Sequence, residues 1–321
     1  MLTKQVLLTQ NSVALTKQVL LTQNSKEVYT MVEDKTLGGR MFGIINYLLL
    51  TIIGLITLIP FVHVVAGSFT TSAEMAAKKF VIIPTDWSIE AYRFIFSTNT
   101  IFKAMGVSIG TTLAGTIISM FITALMAYGL SRKDVDGRKI IMFLVVFTML
   151  FHGGLVPTFL VVKELGMIDS YASLILPTAI SAFNLIILKN FFQNIPEGLE
   201  ESAKIDGCSD FGILFRIVLP LSMPAIATIS LFYAVTYWNT YLSAILYLNE
   251  SAKWPIQVLL RQIVVLASGM DVSADLDSVT PPPAQSIKMA VIVVATLPIL
   301  CVYPFLQKHF AKGAMIGSIK G

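Results

Sequence analysis

The chain has 321 residues, of which 55% are hydrophobic and 13% charged, against about 25% charged in ordinary soluble domains. With a mean hydropathy of +0.76, it has too little polar surface to cover a soluble core, so the expected fold class is an all-α polytopic membrane protein. The net charge of +4 gives no reason to expect a nucleic-acid partner; it turns attention to which side of a membrane the cations occupy.

Residues 2–12 recur unchanged at 15–25, a copy too short for a solenoid unit. Residues 1–31 are expected to be an unstructured cytoplasmic tail, with Met31 as an alternative start, and 32–321 a single transmembrane domain. The first span, about 41–66, is too long for a signal h-region and has no small-residue cleavage site; Pro60 is placed to kink it. Pro84 to Ser88 predicts a turn, with Ser88 capping a short helix that carries Tyr92, Phe94 and Phe96 as interfacial aromatics.

The second span, about 102–130, holds Gly106, Gly110, Ala114, Gly115, Ala124 and Ala127, small residues that let helices approach closely in lipid. The loop 131–139 after it carries Arg132, Lys133, Arg138 and Lys139 against two aspartates, which marks it as cytoplasmic. A third span, about 140–162, should break or bend at His152, Gly153, Gly154 and Pro157. A fourth, about 171–192, contains Pro177 and Asn184, and a fifth runs from about 221 to 248. The apolar stretch 255–267 holds Arg261 and Gln262 at its centre. A mid-bilayer charge costs about 2.5–3.5 kcal/mol on insertion scales, so this stretch is expected at the interface. The last span is about 287–305. Six spans from a cytoplasmic N-terminus put both termini inside and the acidic Asp271, Asp275 and Asp277 outside.

Between the fourth and fifth spans lies a polar stretch, 194–220, patterned for two short helices. Asn194 can cap the first, with Pro196 in its first turn and Glu197, Glu200 and Glu201 near the positive end of its dipole. Gly207 is placed to end that helix, Ser209 to cap the second and Pro220 to close it. Leu199 and Ala203, four apart with Ser202 beside them, form a small face suited to a groove on another protein. The alternative is a solvated re-entry loop.

The spacing Glu201-Ser202-Ala203, three residues, Gly207, nine residues, Ile217-Val218-Leu219-Pro220 resembles the signature loop of ABC importer permeases, E-A-A, three, G, nine, I-x-L-P. Ser202 replaces the second alanine, and Asp206 before the glycine is also usual in that loop. Residues 84–96, 152–170 and 238–248 look like the carbohydrate-uptake branch, of the maltose-transporter permease type. The ending, 302–321, is similar to the subgroup for aldouronate, alginate and other complex oligosaccharides. The resemblance implies the six-helix type I importer fold in a bacterial cytoplasmic membrane, working by alternating access on a sugar. It also implies a second homologous permease subunit, two cytoplasmic ATPase subunits and an extracytoplasmic solute-binding protein. Glu200, Glu201, Ser202, Ala203, Asp206, Gly207, Ile217, Leu219 and Pro220 would couple to the ATPases, and Lys312-Gly313 and Lys320-Gly321 are the tail positions that could reach them. No phosphate loop (G-x-x-x-x-G-K before Ser or Thr) occurs, so ATP and Mg would be used by those subunits and no cofactor is expected on this chain.

Tyr233, Tyr237, Trp238, Asn239 and Tyr241 form a polar-aromatic band suited to stacking sugar faces and pairing hydroxyls. They and Asn184 line a translocation pathway or join helices. His152 is placed as structural and His63 and His309 as interfacial. With Cys208 and Cys301 far apart, no metal site is expected. Two other classes compete: an ATP-independent carrier (or an ABC permease for a non-sugar solute), and an intramembrane enzyme, for which no catalytic set is visible.

Overall fold

A computed structural model describes residues 36–78, 80–97, 99–151, 153–267 and 285–318. The tail 1–31, His152, the acidic cluster 271–277 and Lys320-Gly321 lie outside the described residues, as do the side chains of His309 and Lys312. Phe61 closes one compact unit and Val62 opens a second.

Helix α1 (Leu37–Ser68) is longer at both ends than its apolar run predicts and contains Pro60. Leu48, Ile52 and Phe61 are among the many large apolar side chains it exposes. A helix apolar on every side needs an apolar cover on every side.

In the second unit, α2 (Ser72–Ala77) is capped by Thr71, whose hydroxyl accepts from the Glu74 amide. The buried Glu74 carboxylate in turn accepts from the Thr85 and Asp86 amides at 3.0 and 2.8 Å and from Lys78 at 2.9 Å. These bonds, the Asp86 amide foremost and then Lys78, lower its pKa from 4.5 to about 2. The stabilisation is complete above the unfolded value and lost as pH falls through the folded one. Exchange protection of the Thr85 and Asp86 amides should hold above pH 4.5 and fall between 4.5 and about 2 when read by hydrogen-exchange mass spectrometry; loss beginning near neutrality would contradict this. His63 stacks on Phe80 (4.4 Å) and accepts from the Val81 amide.

Ser88 accepts from the Glu90 amide at the start of α3 (Glu90–Ser97), as its sequence position suggests. Tyr92 packs on Phe69 and its hydroxyl meets Ser68, while Phe94 and Phe96 are exposed. Helix α4 (Asn99–Ser131) is the central post of this unit. Of its small residues, Gly115, Ala124 and Ala127 are buried against neighbours, whereas Gly106, Gly110 and Ala114 line an open groove of about 470 Å³.

The third predicted span is not one rod. Helices α5 (Arg138–Leu150) and α6 (Leu155–Glu164) meet at 119°. Gly154, at φ +87°, turns the chain; Pro157 sits in the first turn of α6, where its missing N–H costs nothing. The fourth span is also broken, by 54°, between α7 (Ala172–Ile175) with its 3₁₀ continuation Leu176–Thr178 and α8 (Ala182–Gln193). Pro177 lies in the 3₁₀ turn, and Ser181 caps α8 through the Asn184 amide.

Past residue 194 come α9 (Glu197–Ile205), α10 (Asp210–Ile213), a π-helical turn (Leu214–Val218), α11 (Leu219–Leu221) and α12 (Met223–Trp238). The predicted span 221–248 is shorter than expected. Helix α12 ends at Trp238, and the Asn239 side chain that follows donates to the Val235 carbonyl at 2.8 Å. Residues 242–247 form a separate helix, α13 (Leu242–Tyr247). Asp169, at φ +60°, pins that region: its carboxylate accepts from the Asn249 and Glu250 amides and from Lys253 at 2.6 Å. Lys253 first, then these amides, hold the Asp169 carboxyl below its usual range.

Helix α14 (Ile256–Ala267) rises about 18 Å, less than the ~30 Å hydrocarbon core. It buries Ile256 and Val258 and leaves Arg261 and Gln262 exposed. Helix α15 (Gln285–Ser318) continues past the predicted end of the last span. Among the described residues, three helices are long and apolar enough to cross a membrane, and the bent pairs raise the number to as many as six.

Candidate functional site

The polar stretch folds into a bent helix pair, and its bend is a glycine-closed helix end. Gly207 lies at φ +78°, a conformation that costs an L-residue about 1–2 kcal/mol. The Gly207 amide donates to Lys204 O (3.0 Å) and the Cys208 amide to Ala203 O (2.9 Å), the Schellman pairing that satisfies the last carbonyls of α9. Ser209 then caps α10, accepting from the Gly212 amide at 3.3 Å.

Two details differ from expectation. Asn194 closes the preceding helix α8, its amide donating to Phe191 O; Pro196 takes the capping position of α9 without a side-chain bond. Proline's fixed φ suits a helix start and needs no donor there. Pro220 does not end the second helix, which runs on to Leu221, turns 87° and becomes α12. The π turn immediately before Pro220 shifts the carbonyls that the proline ring would otherwise strike.

The pair is rooted in the bundle. Ile213, Leu214 and Val218 are buried with Leu185, Leu188, Ala127 and Leu130, and Ile217 and Leu219 pack against the same cluster. Ala203 joins this core, so it does not share an outward face with Leu199. Burial wins because the bundle, not solvent, covers that side of α9. The outward surface carries Leu199 and, far more exposed, Ile205 (86%) and Phe211 (68%), with Glu201, Ser202, Asp206 and Gly207 beside them. The Ser202 hydroxyl donates to Gly198 O at 2.7 Å, spending its polarity within the helix. Pro220 is exposed.

The loop after α4 belongs to the same site. Arg132 donates through Nη1 to Tyr128 Oη (2.8 Å), Glu200 Oε2 (3.0 Å) and Asp210 Oδ1 (3.3 Å), and through Nε and Nη2 to Asp134. Asp134 foremost raises the guanidinium further above its already high range, and Arg132 holds Asp134 below the usual carboxylate range. Lys133 pairs with Glu197, and Gln193 donates to Ser131 O. A cleft of about 480 Å³ runs between this loop and α9.

Of the pathway candidates, four are buried in helix packing. Tyr237 donates to Ile175 O (3.2 Å), a carbonyl in the turn before Pro177, and exchanges a bond with Ser119 (2.7 Å). Tyr233 accepts from the Ser181 amide (3.0 Å) at the break in the fourth span and meets Thr123 (2.7 Å). The two hydroxyls thus satisfy backbone groups near that break, as a lipid environment requires. Trp238 is buried between α4, α14 and α15. Asn184 is buried too, while Asn239 is exposed and Tyr241 half-buried beneath the Arg261 guanidinium at 4.8 Å. Among the described residues no group of His, Cys, Asp or Glu could hold a metal ion.

Residues 137–315 match the family described as the inner membrane component of binding-protein-dependent transport systems. The chain is similar to the polygalacturonan/rhamnogalacturonan transport system permease protein YtcP of Bacillus subtilis (strain 168), at 68% identity over 88% of this chain and 99% of that one. It is similar to Protein LplC of the same organism at 54% identity over 92% of this chain and 99% of the other. A crystal structure of a bacterial ABC transporter involved in the import of the acidic polysaccharide alginate contains a matching chain. That match has TM-score 0.78 and 31% identity, covering 86% of this chain and 98% of that one. With the fold, the bent helix pair and these matches in agreement, the chain belongs to the family of binding-protein-dependent ABC importer permeases: it is a multi-pass inner-membrane permease component and not the ATPase.

Proposed function

We propose that this permease carries an oligosaccharide, an acidic pectic fragment before others, as one half of a permease heterodimer. Two cytoplasmic ATPase subunits use ATP and Mg to drive it, and an extracytoplasmic binding protein delivers the sugar. The observation that carries the reading is the helix pair 197–221, which exposes Ile205 and Phe211 outward while Ile213, Leu214 and Val218 root it in the bundle. Pushed from outside, such a unit transmits motion rather than absorbing it. ATPase closure would draw the two permeases' helix pairs together and tilt the bundles until the cavity opens outward.

The topology proposed is six spans with both termini cytoplasmic. In its support, loop 131–138 is hydrogen-bonded to the helix pair, while loop 165–171 is bonded to 247–253. These contacts support the alternation, since each joins two loops that it assigns to one side. The cargo rests on the 68% identical relative, whose named polymers contain galacturonate. Glu200, Glu201, Ser202, Asp206, Gly207, Ile217, Leu219 and Pro220 are proposed to shape or brace the ATPase contact, with Ala203 acting from the core side. Asn239 and Tyr241 are the pathway residues that keep open surface.

The test is to copurify the complex with its binding protein and measure ATP hydrolysis with oligogalacturonides and with neutral oligosaccharides. Stimulation by the acidic set is expected. Stimulation by neutral sugars alone would overturn the cargo, and none by any sugar would overturn the class.

A further inference from the structure

Arg132 has more partners than its nitrogens can serve equally. Nη1 carries two hydrogens, yet Tyr128 Oη, Glu200 Oε2 and Asp210 Oδ1 all lie within 3.3 Å of it. Tyr128 belongs to α4, Glu200 to α9 and Asp210 to α10. Glu200 precedes the Gly207 bend and Asp210 follows it, so a single guanidinium spans the bend and ties both arms to the end of the second span. Its side chain is only 13% exposed and its carboxylate partners are charge-assisted acceptors, the stronger class of hydrogen bond. Tyr128 also lies under the guanidinium at 5.5 Å, fixing its plane.

We propose that Arg132 is a positioning residue of the transport cycle: a brace across the Gly207 bend that makes α4 move with the helix pair. Without it, α9, which buries only Ala203, can flex about Gly207 relative to α4 and to the second arm that Ile213, Leu214 and Val218 root in the bundle. The bond to Asp210 is the longest and most exposed of the set, so it is the one that yields first when the arms change angle. The inference rests on the ATPase-coupling reading of the helix pair.

The experiment uses the complete importer with its binding protein in proteoliposomes. It measures the oligogalacturonide transported per ATP hydrolysed, normalised to assembled complex. For Arg132→Gln that ratio should fall by about tenfold, within the usual range of coupling between sites. Arg132→Lys, a point charge without the planar fork, should recover part of it. If Arg132→Gln does not assemble, Glu200→Gln with Asp210→Asn, which leaves the Asp134 pair intact, should lower the ratio in the same way. An unchanged ratio, or transport and hydrolysis falling in parallel, overturns the brace. Gly207→Pro in the same vesicles separates the two readings. Wild-type transport there removes the helix pair from the mechanism altogether. Blocked transport with unaffected Arg132 variants removes only the brace.

Discussion

Gly207→Pro should abolish sugar uptake while the protein remains in the membrane. Proline fixes φ near −65°, whereas the chain here needs φ +78°. It also deletes the amide that donates to Lys204 O, so the Schellman closure fails and the Lys204 and Ala203 carbonyls lose partners. A proline forced into an incompatible helix position costs about 3 kcal/mol or more, equivalent to about a hundredfold in a coupling equilibrium. Because nothing lies within 4 Å of a Cβ at this position, the effect is conformational and not steric. Gly207→Ala should therefore be the milder variant, at about 1–2 kcal/mol. Initial uptake rates in cells with matched membrane levels measure both, and equal loss in the two variants would point to sterics instead.

Gly115→Ala should destabilise the bundle more than its small volume suggests. A Cβ at that position would lie 2.7–2.8 Å from three ring atoms of Tyr237. The ring cannot swing clear, because its hydroxyl is held by Ser119 and by Ile175 O. Overpacking of this kind costs about 1–3 kcal/mol, and displacing the hydroxyl also unpairs a backbone carbonyl near the break in the fourth span. Thermal unfolding in detergent should show a clear fall in midpoint. Tyr237→Leu removes the obstructing ring, so the pair of substitutions should cost less than the sum of the singles. Strict additivity would mean that the two positions do not meet.

What could be read in the sequence was whatever depends on neighbours along the chain. Gly207 and Ser209 announce a helix end and a helix start through local hydrogen bonding, and both take those roles. The apolar runs mark the membrane segments because hydropathy sums over adjacent residues. The breaks within them were partly legible. Pro177 flagged the one in the fourth span, and Gly153, Gly154 and Pro157 the one in the third, but nothing read in the run 221–248 anticipated the end of α12 at Trp238. Least visible were contacts between distant segments. Arg132 meets Glu200 and Asp210 across 68 and 78 residues, and along the chain it is one cation among four in a short loop. Ala203 looked like part of a docking face because helix periodicity gives a face but not what covers it.

The most direct test loads proteoliposomes holding the permease pair, the ATPases and the binding protein. Oligogalacturonide uptake is compared between vesicles supplied with Mg-ATP on the ATPase side and vesicles given a proton or sodium gradient alone. Uptake should require Mg-ATP and the binding protein, and should vanish when the ATPases are left out. Uptake driven by an ion gradient through the permease pair without the ATPases would contradict an ATP-coupled importer.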